Sequence, residues 1–180
     1  MTGRLLRGMI ALSVLLIAFA GCKEKESSRP LPGAVTSPVS SENEIRLLNE
    51  ILKDDPKNLN AIIKLGNILM DARRFDEAVD AYRKALDIDP SNVNVRVDMG
   101  TSYRYAGMPQ KAVEEFRKAV KADPKHPYAH LNLGVVLAFD LGDTKGGIRE
   151  FETFLKLAPN DPRAAEVGEE IKRLKAASKK

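Results

Sequence analysis

Residues 59–92 read LNAIIKLGNILMDARRFDEAVDAYRKALDIDPSN, and residues 93–126 read VNVRVDMGTSYRYAGMPQKAVEEFRKAVKADPKH. Laid one over the other, Gly66 falls on Gly100, Ala78 on Ala112, Tyr82 on Phe116, Ala85 on Ala119 and Pro90 on Pro124, always at an interval of 34 residues. The interval runs on to Gly134 and back to Pro56. Average usage is about 7% Gly and about 5% Pro, so two further matches of each have chance odds on the order of 1 in 10⁵. A fixed period of this length means stacked supersecondary units, none of which buries its apolar face alone.

Within the period the apolar residues fall at helical spacing. Ile45, Leu48 and Leu52 form a stripe that Ile51 widens, and Pro56 ends it. Ile62, Leu65 and Leu69 form the next, followed by Phe75, Ala78, Tyr82, Ala85 and Leu86 up to Asp89-Pro90. The pattern restarts with Val95, Met99 and Tyr103, then Ala112, Phe116 and Ala119 up to Asp123-Pro124. The third round has Leu131, Leu133 and Leu137, then Ile148, Phe151 and Phe154, and ends at Pro159. A last helix is expected from Pro162 to about Ala176. Asn58, Asn92 and Asp161 stand where an N-cap oxygen takes an orphan amide, His126 holds the same place as a poorer cap, and Pro109, Pro127 and Pro162 suit first helical positions. The expectation is an all-α chain of eight helices: one leading, three pairs, one trailing.

This pattern resembles the tetratricopeptide repeat, a helix–turn–helix unit that stacks into a right-handed α-solenoid. The resemblance covers residues 42–176 and implies a leading capping helix at 42–58, repeats at 59–92, 93–126 and 127–161, and a trailing helix with a basic tail at 162–180. In the third repeat one extra residue in the turn sets Gly147, Phe151, Phe154 and Pro159 one place late. Arg96 and His130 replace the family's first large apolar residue. Gly costs up to about 1 kcal/mol inside a helix, so three at one position imply compensation. A close backbone crossing within each pair is expected there, faced by Ala78 and Ala112, with the aromatics filling the gap between pairs.

The resemblance also implies where a guest would lie. In this family the first helix of each pair lines a concave groove. Mapped here, the groove residues are Asn60, Ile63, Asn67, Met70 and Asp71; then Asn94, Val97, Thr101, Arg104 and Tyr105; then Tyr128, Leu131, Val135, Ala138 and Phe139. The surface grades from amide-rich to apolar and aromatic, which suits an extended or helical peptide with a few apolar anchors. Some members clamp a terminal carboxylate with groove lysines; Ile63, Val97 and Leu131 stand at that position, so no such clamp is expected.

The amino end carries a second signal. Arg4 and Arg7 precede an almost wholly apolar run, Met9 to Ala20, of the length of a signal-peptide core and too short to span a bilayer. Phe19-Ala20-Gly21-Cys22 resembles the bacterial lipobox, with Phe19 where Leu is usual. Residues 1–21 are thus expected to be a lipoprotein signal peptide, and 22–41 a lipidated Cys22 with a disordered, Ser/Pro-rich linker. Several acyl chains make attachment effectively stable. The implied place is the bacterial envelope, the body periplasmic, with Lys23 favouring the outer membrane. Lipid-anchored bacterial proteins resembling this one include pilus and secretin assembly factors and outer-membrane biogenesis factors.

Little points to chemistry. The net charge is +4, but most of the excess sits in the first 21 residues and at the carboxyl end, in Lys172, Arg173, Lys175, Lys179 and Lys180. Nucleic-acid binding would want a basic stripe with stacking aromatics, and neither is visible. Cys22 is the only cysteine, so no internal disulfide forms. His126 and His130 stand four apart without the Glu that a zinc protease needs, and read as cap or surface residues. Asp140 and Asp143 lack the spacing of a calcium loop. No catalytic set, cofactor, metal or small-molecule substrate is expected. The reading is a non-enzymatic scaffold for a protein or peptide partner; the alternatives are a module that self-associates through its solenoid ends and, more remotely, a metal-binding protein or enzyme.

Overall fold

The computed structural model describes residues 38–178, with side chains from residue 41. Cys22, the signal-like segment and linker residues 22–37 lie outside the described residues, as do Lys179 and Lys180. Among the described residues eight α-helices follow one another: α1 Pro38–Asp54, α2 Leu59–Asp71, α3 Phe75–Ile88, α4 Val93–Tyr105, α5 Pro109–Ala122, α6 Pro127–Val135, α7 Thr144–Leu157 and α8 Ala164–Ala177. Among the described residues there is no strand. Each helix packs chiefly on its neighbours in sequence, α2 on α3, α4 on α5 and α6 on α7, with α1/α2, α3/α4, α5/α6 and α7/α8 between units. That nearest-neighbour stacking defines a solenoid.

The helix boundaries follow from short-range chemistry. Asn58 accepts from the Ala61 amide at 3.1 Å, Asn92 from Val95 at 3.2 Å, and His126 Nδ1 from Ala129 at 3.1 Å. His126 is therefore a working cap. Ahead of each, an Asp-Pro dipeptide closes the turn, the carboxylates of Asp55, Asp89 and Asp123 accepting the amide two residues on. Two expectations shift here. Helix α1 starts at Pro38, so residues 38–41 are helical rather than linker. Helix α8 starts at Ala164, and Asp161 spends its carboxylate on the Arg163 amide at 2.9 Å, so Asp161 and Pro162 form a fourth Asp-Pro turn instead of a cap and a first helical residue.

The three recurring glycines work differently from the backbone crossing expected of them. A methyl group on Gly66 would stand 2.6 Å from the Tyr82 ring, and one on Gly100 2.7 Å from the Phe116 ring. The aromatic of the second helix lies flat in the space the missing side chain leaves, inside its own pair rather than between pairs. Only in the third pair does backbone also close in: a methyl on Gly134 would meet Phe151 at 2.7 Å and the Gly147 carbonyl oxygen at 3.1 Å. Tyr82, Phe116 and Phe151 are almost wholly buried, with Ala78, Ala112 and Ala85 beside them. Removing such a ring costs about 3–5 kcal/mol.

The extra residue of the third repeat lies in a helix, not in the turn. All three turns have the same length and the same left-handed middle residue: Arg73 (φ 61°), Gly107 (φ 76°) and Gly142 (φ 73°). After α6 the chain runs through a π-helical segment, Val136–Asp140, closed by the Leu141 amide on the Val136 carbonyl at 3.0 Å. One residue absorbed this way widens the last helical turn.

Candidate functional site: the face formed by α2, α4 and α6

Polar contacts join the first helices of the pairs into a ladder. Ser102 Oγ points at Met70 Sδ, 3.0 Å away, and at the Asp98 carbonyl oxygen at 3.0 Å, tying α4 to α2. His126 Nε2 bonds Asn94 Oδ1 at 2.9 Å, Asn132 Nδ2 donates to Thr101 Oγ1 at 3.3 Å, and Arg104 pairs with Asp140, tying α6 to α4. The Tyr82 hydroxyl donates to Asn67 Oδ1 at 2.8 Å from beneath. Three of the groove residues, Val97, Leu131 and Ala138, are buried and serve packing. Ile63, Met70, Thr101, Arg104 and Val135 are half-buried, and Asn60, Asn67, Asp71 and Asn94 are exposed. The carbonyl ends of Asn67 and Asn94 are committed internally.

The exposed aromatics differ in freedom. Tyr105 is 56% exposed and stacks on Phe75, ring centroids 5.3 Å apart. Tyr128 is held: its hydroxyl donates to Asp161 at 2.8 Å and the Arg163 guanidinium lies 4.3 Å above its ring. Tyr128 therefore fastens α6 to the turn before α8. Those contacts, with the Arg163 amide, hold the Asp161 carboxyl down at about 2, the Arg163 side chain contributing most. Phe139 is 50% exposed. It borders a cavity of about 300 Å³ whose other walls are Leu131, Asn132, Val135 and Phe151, with Arg163, Glu166, Val167 and Glu170 across from them.

Two charges sit inside the face. Asp98 is partly buried, and that burial pushes its carboxyl above the usual range. The Tyr82 hydroxyl is raised first by burial and then by the nearby Asp98 and Asp71 carboxylates. Both acids thus stand close to the same hydroxyl.

On the opposite side of α2 lies a larger cleft, about 580 Å³, between α1 and α3. Its floor, Ile62, Leu69 and Ala81, is buried, and charged side chains, Lys53, Arg74, Glu77, Asp80 and Lys84, stand around the apolar walls. It exists because a bridge is missing. One repeat on, Arg96 stands where Ile62 does and Glu115 where Ala81 does, and they pair at 2.8 Å. Arg96 also donates to the Pro90 carbonyl at 3.0 Å. In the third repeat His130 Nδ1 meets Glu150 Oε2 at 2.7 Å, and His130 Nε2 meets the Pro124 carbonyl at 3.0 Å. His130 is buried, not a surface residue. The only sequence signal for these bridges was a polar residue in an apolar slot with Glu at the facing slot.

Asp143 caps α7 through the Gly146 amide at 2.8 Å. Lys172, Arg173 and Lys175 pair with Glu169, Glu170 and Glu152, as a solvated helix end does. Among the described residues no group of three His, Cys, Asp or Glu side chains could hold a metal ion.

Two tetratricopeptide repeat family models match residues 60–92 and 97–162, together more than half of the chain. This chain is a tetratricopeptide repeat protein. Its fold is similar to that of MamA, at 22% identity over 76% of this chain and 74% of the other, with a TM-score of 0.67. It is also similar to the Sgt2 tetratricopeptide domain of Aspergillus fumigatus (27% identity, 68% and 82% covered, TM-score 0.63). The first such domain of Spaghetti (RPAP3), solved with an HSP90 peptide, SRMEEVD, is a third (23%, 70% and 97%, 0.63). No curated protein matches the sequence. These likenesses bear out the all-α solenoid of this tetratricopeptide repeat protein.

Proposed function

We propose that this tetratricopeptide repeat protein is a non-enzymatic adaptor that holds a partner peptide or helix on its α2–α4–α6 face. The observation that carries this is the Phe139 pocket: about 300 Å³, open to solvent, its apolar wall on α6 facing the charged Arg163, Glu166 and Glu170, at one end of a face tied together by its own polar ladder. A face cross-linked by its own hydrogen bonds, with one partly apolar pocket, costs a guest little reorganisation of its host. The Spaghetti domain, solved with a bound peptide, supports the same mode by fold likeness. The test is crosslinking and pull-down from intact envelopes with Phe139→Ala and Tyr105→Ala beside the native chain; an unchanged partner set with both variants ends this reading.

The adaptor works, on this reading, from a membrane surface in the bacterial envelope, held by acyl chains on Cys22 with the body in the periplasm, the outer membrane favoured. What supports it is the charged start, short apolar run and Cys22 of the amino end. A Cys22→Ala chain then leaves the membrane fraction. A second reading, self-association through the end of the stack, is favoured by Leu47 and Ile51 on α1, which are 58% and 39% exposed. Sedimentation of a Leu47→Glu, Ile51→Glu chain against the native one separates the two, since only self-association loses a heavier species.

A further inference from the structure

The charges on the binding face are one-sided. Arg104 is neutralised by Asp140, and Arg163 beside the cavity by Asp161. The side-chain carboxylates of Asp71, Asp98 and Glu166 have no salt bridge or hydrogen bond among the described residues, although His126 lies near Asp98. Asp71 and Asp98 stand together near the Tyr82 hydroxyl on α2 and α4, and Glu166 stands at the wall of the Phe139 cavity on α8. The face is therefore apolar at the Phe139 pocket and negative on either side of it. Asp98 is half-buried, an unfavourable place for a carboxylate that the nearby His126 relieves only in part, and an arriving cation relieves it further; Asp71 and Glu166 are exposed and add attraction alone.

We infer that the segment held on this face is cationic and apolar: one apolar side chain fills the cavity at Phe139, and lysine or arginine side chains lie over Glu166 at one side and over Asp71 and Asp98 at the other. This deepens the adaptor reading and rests on it. It also separates this chain from the Spaghetti domain, whose peptide SRMEEVD ends in acids. Such an acidic peptide would meet like charges here, and like-charge juxtaposition is a strong means of rejecting wrong partners.

The experiment uses the full chain and two fluorescein-labelled peptides that share leucines at i, i+3 and i+7, one carrying lysines between them and the other glutamates. Fluorescence anisotropy reads the affinity. The lysine peptide binds, the glutamate peptide binds at least about tenfold more weakly, and added salt narrows the gap. Replacing Asp71 and Asp98 by Asn and Glu166 by Gln removes the preference, whereas Phe139→Ala weakens both peptides. Equal binding of the two peptides, with Phe139→Ala still weakening both, overturns the charge assignment and leaves the adaptor reading standing. Absence of binding by either peptide overturns both.

Discussion

His130 Nδ1 lies 2.7 Å from Glu150 Oε2, while the other ring nitrogen lies 3.0 Å from the Pro124 carbonyl oxygen. Both ring nitrogens are thus engaged across the unit. Arg96, one repeat earlier, makes the same two contacts with Glu115 and Pro90. Each of the two side chains thus ties the second helix of its own pair to the turn that ends the previous one. His130→Leu alone is expected to cost about 1–3 kcal/mol, because it orphans a carbonyl and a carboxylate. Adding Glu150→Ala recreates the Ile62/Ala81 pairing of the first repeat and recovers most of that loss. Urea unfolding in a double-mutant cycle reads the coupling; strictly additive losses would show that the bridge contributes nothing.

The ring-on-glycine packing makes its own prediction. Gly100→Ala places a methyl 2.7 Å from the Phe116 ring in a fully buried site. Overpacking of this kind costs about 1–3 kcal/mol. The smaller side chain of Phe116→Leu makes room, so the double variant is expected to lose less than the two single losses together. Calorimetric midpoints check it.

Arg73 holds φ 61° where the equivalent turns use Gly107 and Gly142. The left-handed conformation costs an ordinary residue roughly 1–2 kcal/mol, and glycine escapes that at some cost in chain entropy. Arg73→Gly is therefore expected to stabilise the protein by up to about 1 kcal/mol. A lowered unfolding midpoint would contradict it.

Two carboxylates give opposite pH signatures. The folded Asp161 carboxyl sits at about 2, below its unfolded value near 3.9, so its stabilisation is complete above the unfolded value and is lost as pH falls through the folded one. Arg163→Ala, which removes the largest cause, is expected to destabilise the chain at neutral pH and to converge with the native chain toward pH 2. Asp98 is raised by burial, so its ionised form works against folding. Asp98→Asn is expected to raise the unfolding midpoint at neutral pH, with the gain vanishing below the unfolded value near 3.9, where the native carboxyl is protonated in both states. Thermal melts across that range test both signs.

Much of the architecture was legible because it is periodic. Asn58, Asn92, Pro109 and Pro127 fix helix starts by local bonding alone, which sequence shows directly. What escaped was non-local. The partner of Gly66 is a ring 16 residues away, and only the fold decides whether a ring or a backbone fills that space. The π-helical segment escaped because an extra residue reads the same in a turn as in a helix. Tyr128 looked like a groove residue by its place in the repeat, yet Asp161 and Arg163 capture it. Phe139 kept its exposed place, and the cavity beside it depends on α8, whose docking no repeat position encodes.

Because every helix leans mainly on the one before and the one after, tension has no shortcut through this body. Load drawn from the amino end meets α1 first, where Arg74 buttons Glu42 to Glu77 across the first turn. Once that button and the buried Ile45 and Leu48 of α1 give way, the rest peels unit by unit, so the protein yields gradually to a pull along its length where a closed globule would snap.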